Sequence, residues 1–132
     1  MKMHIVGYDE GSFIMTDDIK KEQLLGKEIG LEIVPELKYR KGDGVLGAYI
    51  NISYKLGDKQ ILFYGGVLSL SVEGWKDFMS SSEFNNNTAE EFLKPVWEYV
   101  LNVVRGILIE KTRATLLAES FLPYIDINQF VA

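Results

Sequence analysis

Apolar and polar residues alternate most clearly between Val45 and Lys55, the pattern of a strand with one buried face. The turn-forming segment Leu56-Gly57-Asp58-Lys59 follows, and the alternation then resumes as far as Val72. Two alternating segments joined by a short glycine-containing turn predict a β-hairpin. The residues predicted to share its apolar face are Leu46, Ala48, Ile50, Ile52 and Tyr54, with Leu62, Tyr64, Gly66, Leu68, Leu70 and Val72 beyond the turn.

Two further strands are predicted before the hairpin. Alternation from Leu31 to Tyr39 indicates one of them. Pro35 cannot donate a hydrogen bond to a neighbouring strand, so it places this segment at a sheet edge or at a bulge. A weaker strand pattern lies in residues 2–8 and 13–15. The sequence therefore predicts four strands in a mainly antiparallel sheet.

Helical periodicity begins after an asparagine-rich polar run. Thr88, with Glu91 three residues later, matches a capping box and predicts the first helical turn. Pro95 fits the first position of the main helix or a kink, so we expect a bend near Lys94. The sequence thus predicts an α+β fold in which a four-stranded antiparallel sheet is followed by a long C-terminal helix and a tail, within a single domain spanning residues 1–132.

The predicted helix is apolar around much of its circumference, over about 200° when successive residues are placed about 100° apart. A helix packed only against its own sheet needs an apolar stripe of little more than about 100°, so the surplus must meet a second apolar surface. A second copy of the chain is the most economical source. We therefore predict a homodimer or homotetramer whose interface includes Val96, Trp97, Val100, Leu101, Val104, Ile107 and Leu108.

Composition removes several classes of function. A chain of 132 residues with 47% hydrophobic and 25% charged residues is typical of one globular domain. The absence of cysteine excludes disulfides, thiol nucleophiles and thiolate metal sites. The net charge of −5 disfavours a nucleic-acid partner. Because no apolar segment is long enough for export or for crossing a bilayer, we expect a cytoplasmic protein without a membrane partner.

Candidate catalytic motifs have structural explanations. Residues 42–47 match GxGxxG, but an alternating strand follows them, whereas the dinucleotide motif requires a helix there. We interpret them as a glycine-rich hairpin loop. His4 is the single histidine and lies near a terminus, which disfavours a histidine-based metal cluster or a catalytic triad. We therefore predict no catalytic, cofactor-binding or metal-binding residue and no enzymatic activity.

The aromatic residues outside the periodic elements are the remaining unusual feature. Two interpretations stay open for Trp75, Phe78, Phe84, Phe121, Tyr124 and Phe130: they close the core and pack an oligomer, or they line an apolar groove that receives extended polypeptide. The residues that would line such a groove are Trp75, Phe121, Tyr124 and Phe130.

The order of these features resembles the SecB family of protein-export chaperones across nearly the whole chain. The residues that carry the resemblance are the segment 5–13, the hairpin 50–63, Gly65-Gly66, Leu93 with Pro95, and Leu122-Pro123 followed by Ile127 and Phe130. The resemblance implies a tetramer, built as a dimer of dimers, that holds unfolded clients in apolar grooves without ATP. Export members carry an acidic sheet surface for a motor ATPase, but residues 61–66 contain no acid, which puts that docking in doubt.

The predicted function is therefore an oligomeric, SecB-like chaperone or client-binding protein that holds unfolded or extended polypeptide. One alternative is an enzyme of hotdog-like architecture with an active site between subunits, which would need a carboxylate inside an apolar cavity. Another is an interaction or regulatory subunit of a toxin–antitoxin or phage-derived system on the same fold. This third function differs from the first only in which protein fills the groove.

Overall fold

The structure is a computed structural model that describes residues 2–16, 29–40 and 44–113. The described residues form two compact units: a sheet unit of residues 4–16, 29–40 and 45–71, and a helical unit made mainly of residues 72–113. The single domain expected for residues 1–132 stays a prediction. The elements are β1 (Met3–Met15), β2 (Gly30–Tyr39), β3 (Val45–Leu56), β4 (Lys59–Val72), α1 (Trp75–Met79) and α2 (Asn86–Thr112).

The four strands form one sheet in the order β1-β4-β3-β2. β2 pairs antiparallel with β3, and β3 pairs antiparallel with β4. β1 also runs antiparallel to β4. At one end of the pair, the Glu73 N–H donates to the Lys2 carbonyl (2.8 Å). At the other end, the Thr16 N–H donates to the Ile61 carbonyl (3.1 Å). Three hairpin-connected strands with the first strand beside the last give a Greek-key order. The predicted antiparallel sheet followed by a long helix is confirmed.

The predicted hairpin is present with the expected turn. Leu56 pairs with Lys59, which leaves Gly57-Asp58 as a two-residue turn. Gly57 has a φ of 63°, in the left-handed region that glycine enters without a Cβ clash. A glycine at the first central position is typical of the turns whose twist matches that of paired strands.

The strand register collects the alternating apolar residues on one face. Leu46 lies opposite Leu70, and Ile52 lies opposite Tyr64. On the other side of β3, Ile33 lies opposite the same Ile52. Directly opposed residues share a face, so the three strands present one continuous apolar surface. The fully buried members of this surface are Leu46, Ala48, Ile50, Ile52, Leu62, Tyr64, Leu68 and Leu70.

The two strands outside the hairpin occupy the two ends of the sheet order. β2 lies at one end, as Pro35 indicates, with Pro35 paired opposite Ile50. β1 is one continuous strand, although its sequence predicts two short pieces. Gly7 and Gly11 weaken its sequence pattern, because glycine has low strand propensity. In the structure they lie beside Ser69 and Gly65 of β4, so pairing along β4 keeps the segment extended.

The N-cap of helix α2 lies three residues before the predicted cap. Asn85 is the N-cap: its side-chain oxygen accepts from the Thr88 N–H (3.0 Å), and its own N–H donates to the Thr88 hydroxyl (3.0 Å). Thr88 is therefore the third helical residue, and the predicted box of Thr88 with Glu91 is wrong. Asparagine caps at least as well as threonine, and the two reciprocal bonds satisfy donors that the first turn leaves open.

Pro95 lies inside α2, so the alternative that it opens the main helix is wrong. The helix continues on both sides of it, and the expected bend near Lys94 stays a prediction. The short helix α1 is absent from the sequence-based expectations. It follows its N-cap Gly74, whose φ of 84° lies in the left-handed region that glycine enters without a Cβ clash.

A close contact on the buried face makes glycine necessary at position 66. A Cβ built on Gly66 would overlap the Tyr64 hydroxyl and lie 2.9 Å from the Tyr64 Cζ. The phenol cannot easily move away, because Tyr64 is fully buried and its hydroxyl is hydrogen-bonded to that of Tyr8 at 2.9 Å. The ring of Tyr64 thus fills the space that a side chain at position 66 would occupy.

We expect Gly66→Ala to lower the free energy of unfolding by about 1–3 kcal/mol, because the added methyl overpacks a closed site. Urea denaturation monitored by circular dichroism measures the change. Gly44→Ala is the matched control, because a Cβ there meets nothing within 4 Å, and its effect should stay within about 0.5 kcal/mol. Equal stability of the two variants would contradict the role of the Tyr64 ring.

Candidate functional site

Exposed apolar side chains concentrate on β1. Of the eight large hydrophobic residues exposed in the described part of the chain, four belong to this strand. Scattered exposed apolar residues are normal on a protein surface, whereas a cluster on one element indicates a binding surface. The exposed fractions are 38% for Ile5, 55% for Val6, 45% for Tyr8 and 61% for Ile14.

β1 is also an end strand of the sheet, since within the described residues its neighbour is β4 alone. An end strand carries backbone N–H and C=O groups that point away from its neighbour and can pair with another chain. With 13 residues, β1 is roughly 43 Å long at about 3.3 Å per residue. This end strand with its exposed apolar side chains is the candidate functional site, which we name the β1 edge.

The opposite end strand, β2, is protected against such pairing. Pro35 interrupts its row of N–H donors. The Lys55 ammonium lies 2.9 Å from the Glu32 carboxylate, and the Lys38 ammonium lies 4.6 Å from the centre of the Tyr49 ring. Proline and charged side chains are the common devices that keep sheet edges from associating. The two edges of this sheet therefore differ in their capacity to accept another strand.

Tyr8 connects the β1 edge to the buried face. Its hydroxyl lies 2.9 Å from the hydroxyl of buried Tyr64, while its ring is partly exposed. Burial raises the pKa of Tyr64 above its ordinary value, and the hydrogen bond and charge of Tyr8, followed by the charge of Glu10, act in the same direction. The protonated phenol of Tyr64 thus anchors Tyr8, which positions the middle of β1.

The predicted groove residue Trp75 is fully buried in the helical unit. Its ring centre lies 5.9 Å from that of Phe78, 6.0 Å from that of Phe84 and 5.4 Å from that of Phe92. Phe78 and Phe92 stack at 4.8 Å. These surroundings match the core-closing interpretation of Trp75. The other predicted groove residues, Phe121, Tyr124 and Phe130, lie outside the described residues.

The predicted oligomer interface on α2 consists mostly of residues that are buried in a single chain. Ile107 is partly exposed. The other six residues of the predicted interface are already covered within one chain, so the premise that a single chain leaves them exposed does not hold. The interface itself stays a prediction. The exposed fractions of those six are 0% for Val96, Val100 and Val104, 5% for Trp97, 4% for Leu101 and 2% for Leu108.

The hotdog-like enzyme alternative requires a carboxylate in an apolar cavity. In residues 2–16, 29–40 and 44–113, the buried polar residues are Ser53 and Thr112. The Ser53 hydroxyl donates to the Gln60 side chain (3.2 Å), and the Thr112 hydroxyl donates to the Leu108 carbonyl (2.8 Å). Both hydroxyls have local partners, and this part of the chain supplies no buried carboxylate of the kind required.

Sequence reasoning missed the β1 edge because it searched for strands with one apolar face. In β1, Ile5-Val6 and Ile14-Met15 are consecutive apolar pairs, so apolar side chains extend to both faces of the strand. Consecutive apolar pairs in a strand that lacks strict alternation are the sequence signal that could have identified this site. They mark a strand whose apolar surface its own sheet does not fully cover.

The comparisons with known proteins identify a structural neighbour. No protein-family model matches the sequence, and no annotated protein is a detectable sequence relative. A SecB-like chaperone of Mycobacterium tuberculosis, solved in complex with a ChAD peptide from the HigA1 antitoxin, has a similar structure with a TM-score of 0.51 and 12% identity. The similarity covers 94% of this chain and 90% of that protein. The chain therefore has an α+β SecB-like fold.

The helices give no sign of a membrane span. Among the residues that the structure describes, neither α1 nor α2 combines the length and the apolar character needed to cross a bilayer.

We expect the free energy of unfolding to fall as the pH rises above 10. The raised pKa of Tyr64 means that the folded protein keeps this proton when the unfolded chain, with a tyrosine pKa of 10.0, releases it. The contribution of Tyr64 to the free energy of unfolding is fully present below pH 10. It falls by at most about 1.4 kcal/mol per pH unit as the pH rises from 10 towards the pKa of Tyr64 in the folded protein. Urea denaturation from pH 9 to 11 should show a shallower decline for Tyr64→Phe. Parallel profiles would contradict the assignment.

The burial of Trp75 can be tested in a Trp97→Phe variant, in which Trp75 is the single tryptophan. We expect blue-shifted emission and weak quenching by acrylamide, because the indole has no exposed surface. Adding an unfolded client should leave both properties unchanged. Strong quenching that a client suppresses would instead support the predicted client contact of Trp75.

Proposed function

We propose that this protein is a cytoplasmic, ATP-independent holding chaperone that binds non-native or extended polypeptide. The observation that carries the proposal is the β1 edge, where exposed apolar side chains lie on a strand whose neighbour within the described residues is β4 alone. Unfolded polypeptides expose apolar side chains together with free backbone donors and acceptors. The site therefore complements a non-native chain without requiring a particular folded shape.

The binding energy would come from two sources. Covering apolar surface contributes about 25 cal/mol per Å², and a fully buried valine or isoleucine side chain about 1.5–3 kcal/mol. Strand addition contributes backbone hydrogen bonds that do not depend on the client's sequence. Neither source uses nucleotide hydrolysis, and both suit a protein that must hold many different chains.

The structural neighbour supports the proposal. That SecB-like chaperone holds a peptide of an antitoxin, and this chain shares its fold over most of its length. We include homo-oligomerisation in the proposal, as a dimer or tetramer. Several copies would present several edges to one client, and linked sites bind a long chain more tightly than a single site does.

The test is suppression of aggregation. Citrate synthase is heated in the presence of increasing amounts of this protein, without ATP, and light scattering is recorded. We expect suppression near stoichiometric ratios. A double variant, Val6→Thr with Ile14→Thr, keeps β-branched residues in the strand but removes apolar surface, so about tenfold more protein should be needed.

The control is Val34→Thr, which repeats the Val6→Thr substitution on the protected edge strand. Val34 is 51% exposed, close to the 55% of Val6. This control should suppress aggregation as the wild type does. Absence of suppression by the wild-type protein, together with absence of binding to an unfolded client, would remove the proposed function.

A second candidate is a dedicated partner-binding subunit. The neighbour's bound peptide comes from an antitoxin, which is the observation that favours this candidate. The same assay separates the two functions when it is repeated with several unrelated clients. A general chaperone should protect all of them, whereas a dedicated subunit should protect one partner and leave the others to aggregate.

A further inference from the structure

β1 lies on the sheet without burying a side chain of its own. Each of its 13 residues is at least partly exposed, whereas its neighbour β4 contributes fully buried residues such as Leu68 and Leu70. A segment that buries little apolar surface opens at a small free-energy cost. The same holds for β2, so burial alone does not distinguish the two end strands.

The order of the strands along the chain does distinguish them. β2, β3 and β4 are consecutive, and β3 and β4 are joined by a two-residue turn. β1 instead meets β4 across 56 residues at the Tyr8 and Tyr64 hydroxyls, and across 71 residues at Lys2 and Glu73. A contact between such distant residues closes a long loop and costs more chain entropy than a hairpin contact. Release of β1 recovers that entropy and leaves the other three strands paired.

We propose that β1 is an exchangeable strand, which leaves β4 reversibly so that an extended segment of a client takes its place. This inference rests on the proposed polypeptide-binding function and names the surface with which the client's backbone pairs. That surface is the edge of β4 (Lys59–Val72) that β1 covers. It already accepts one extended strand, so it has the geometry to accept another.

The contacts of β1 define the segment that can replace it. The Tyr8 hydroxyl lies 2.9 Å from the hydroxyl of buried Tyr64, and a buried phenol without a partner is destabilising. A Cβ at Gly7 or Gly11 would meet its nearest atom at 3.6 or 3.4 Å, so a replacing strand needs no glycine there. The edge therefore fits an extended segment with tyrosine, serine or threonine at the position of Tyr8 and varied side chains elsewhere.

A client gains more at this edge than a second copy of β1 does. Reciprocal exchange of β1 between two copies restores the contacts that each copy had already, while association costs translational and rotational entropy. A non-native client also covers apolar side chains of its own that water would otherwise contact. The balance of contacts therefore favours a client as the occupant.

A disulfide between β1 and β4 tests the exchange, because the chain has no cysteine of its own. A Cβ at position 7 would lie 3.6 Å from the Ser69 Cβ, within the range of about 3.5–4.5 Å that disulfides require. Gly7→Cys combined with Ser69→Cys therefore joins β1 to β4 when it is oxidised. We expect the oxidised form to need at least about tenfold more protein than its reduced form to suppress aggregation of heated citrate synthase.

The matched control joins the other end strand to its neighbour. A Cβ at position 30 would lie 3.9 Å from the Cβ of Lys55, which is its partner in the sheet, so Gly30→Cys with Lys55→Cys joins β2 to β3. This control should suppress aggregation equally in both redox forms. An equal loss on oxidation of both variants would show that a stiffer sheet, and not retention of β1, prevents binding, and this result would overturn the inference.

Hydrogen exchange measures the release of β1 directly. The amides of β1 that pair with β4 should exchange faster than those between β3 and β4. Tyr8→Phe should accelerate their exchange about fivefold, because it removes one hydrogen bond that holds the docked strand. Tyr49→Phe, which removes a phenol hydroxyl from β3, should leave the rate of β1 unchanged. Equal protection of the two strand pairs would contradict the release of β1.

Failure of the exchange can be distinguished from failure of the proposed function. If the oxidised protein with β1 joined to β4 protects clients as its reduced form does, clients bind without displacing β1, so the exchange is wrong and the chaperone function stands. If disulfide-linked dimers form in the absence of a client, a second copy supplies β1 and the inference is overturned. If the wild-type protein protects no client, both proposals fail.

Discussion

The register between β2, β3 and β4 is the constraint on which the rest of the fold depends. Side chains alternate between the two faces of a strand, so a shift of one residue would transfer every apolar residue of that strand to the other face. In this register, Ile33, Ile52 and Tyr64 lie side by side on one face. Their alignment creates a single buried surface, and β4 then offers its remaining edge to β1.

The asymmetry between the two sheet edges follows from this arrangement. β2 needs Pro35 and its ion pairs because it would otherwise present a second accepting edge. β1 lacks proline and keeps apolar side chains exposed on an end strand. A single edge open to pairing would give a bound chain a defined position and direction, whereas two equivalent edges would promote growth of the sheet by association between copies.

The fold was more predictable from the sequence than the site was. Local signals identify the hairpin, because its period of two and the Gly57 turn need no knowledge of distant residues. Pro35 likewise indicates an edge from its own chemistry. The exposure of Val6 and the burial of Trp75 depend on which distant residues cover each side chain, and composition does not reveal that. The helix starts at Asn86 and not after the predicted cap Thr88, because Asn85 is the N-cap and asparagine caps helices at least as well as threonine.

The sheet also joins parts of the chain that are far apart in sequence, which orders its assembly. The hydroxyls of Tyr8 and Tyr64 meet across 56 residues, whereas β3 and β4 are joined by a two-residue turn. Closing a long loop costs entropy that a short turn avoids, so the hairpin can form before β1 docks. During synthesis β1 is made first and must wait for β4. The charge of Asp9 within this apolar strand then acts as a gatekeeper that keeps the waiting segment soluble.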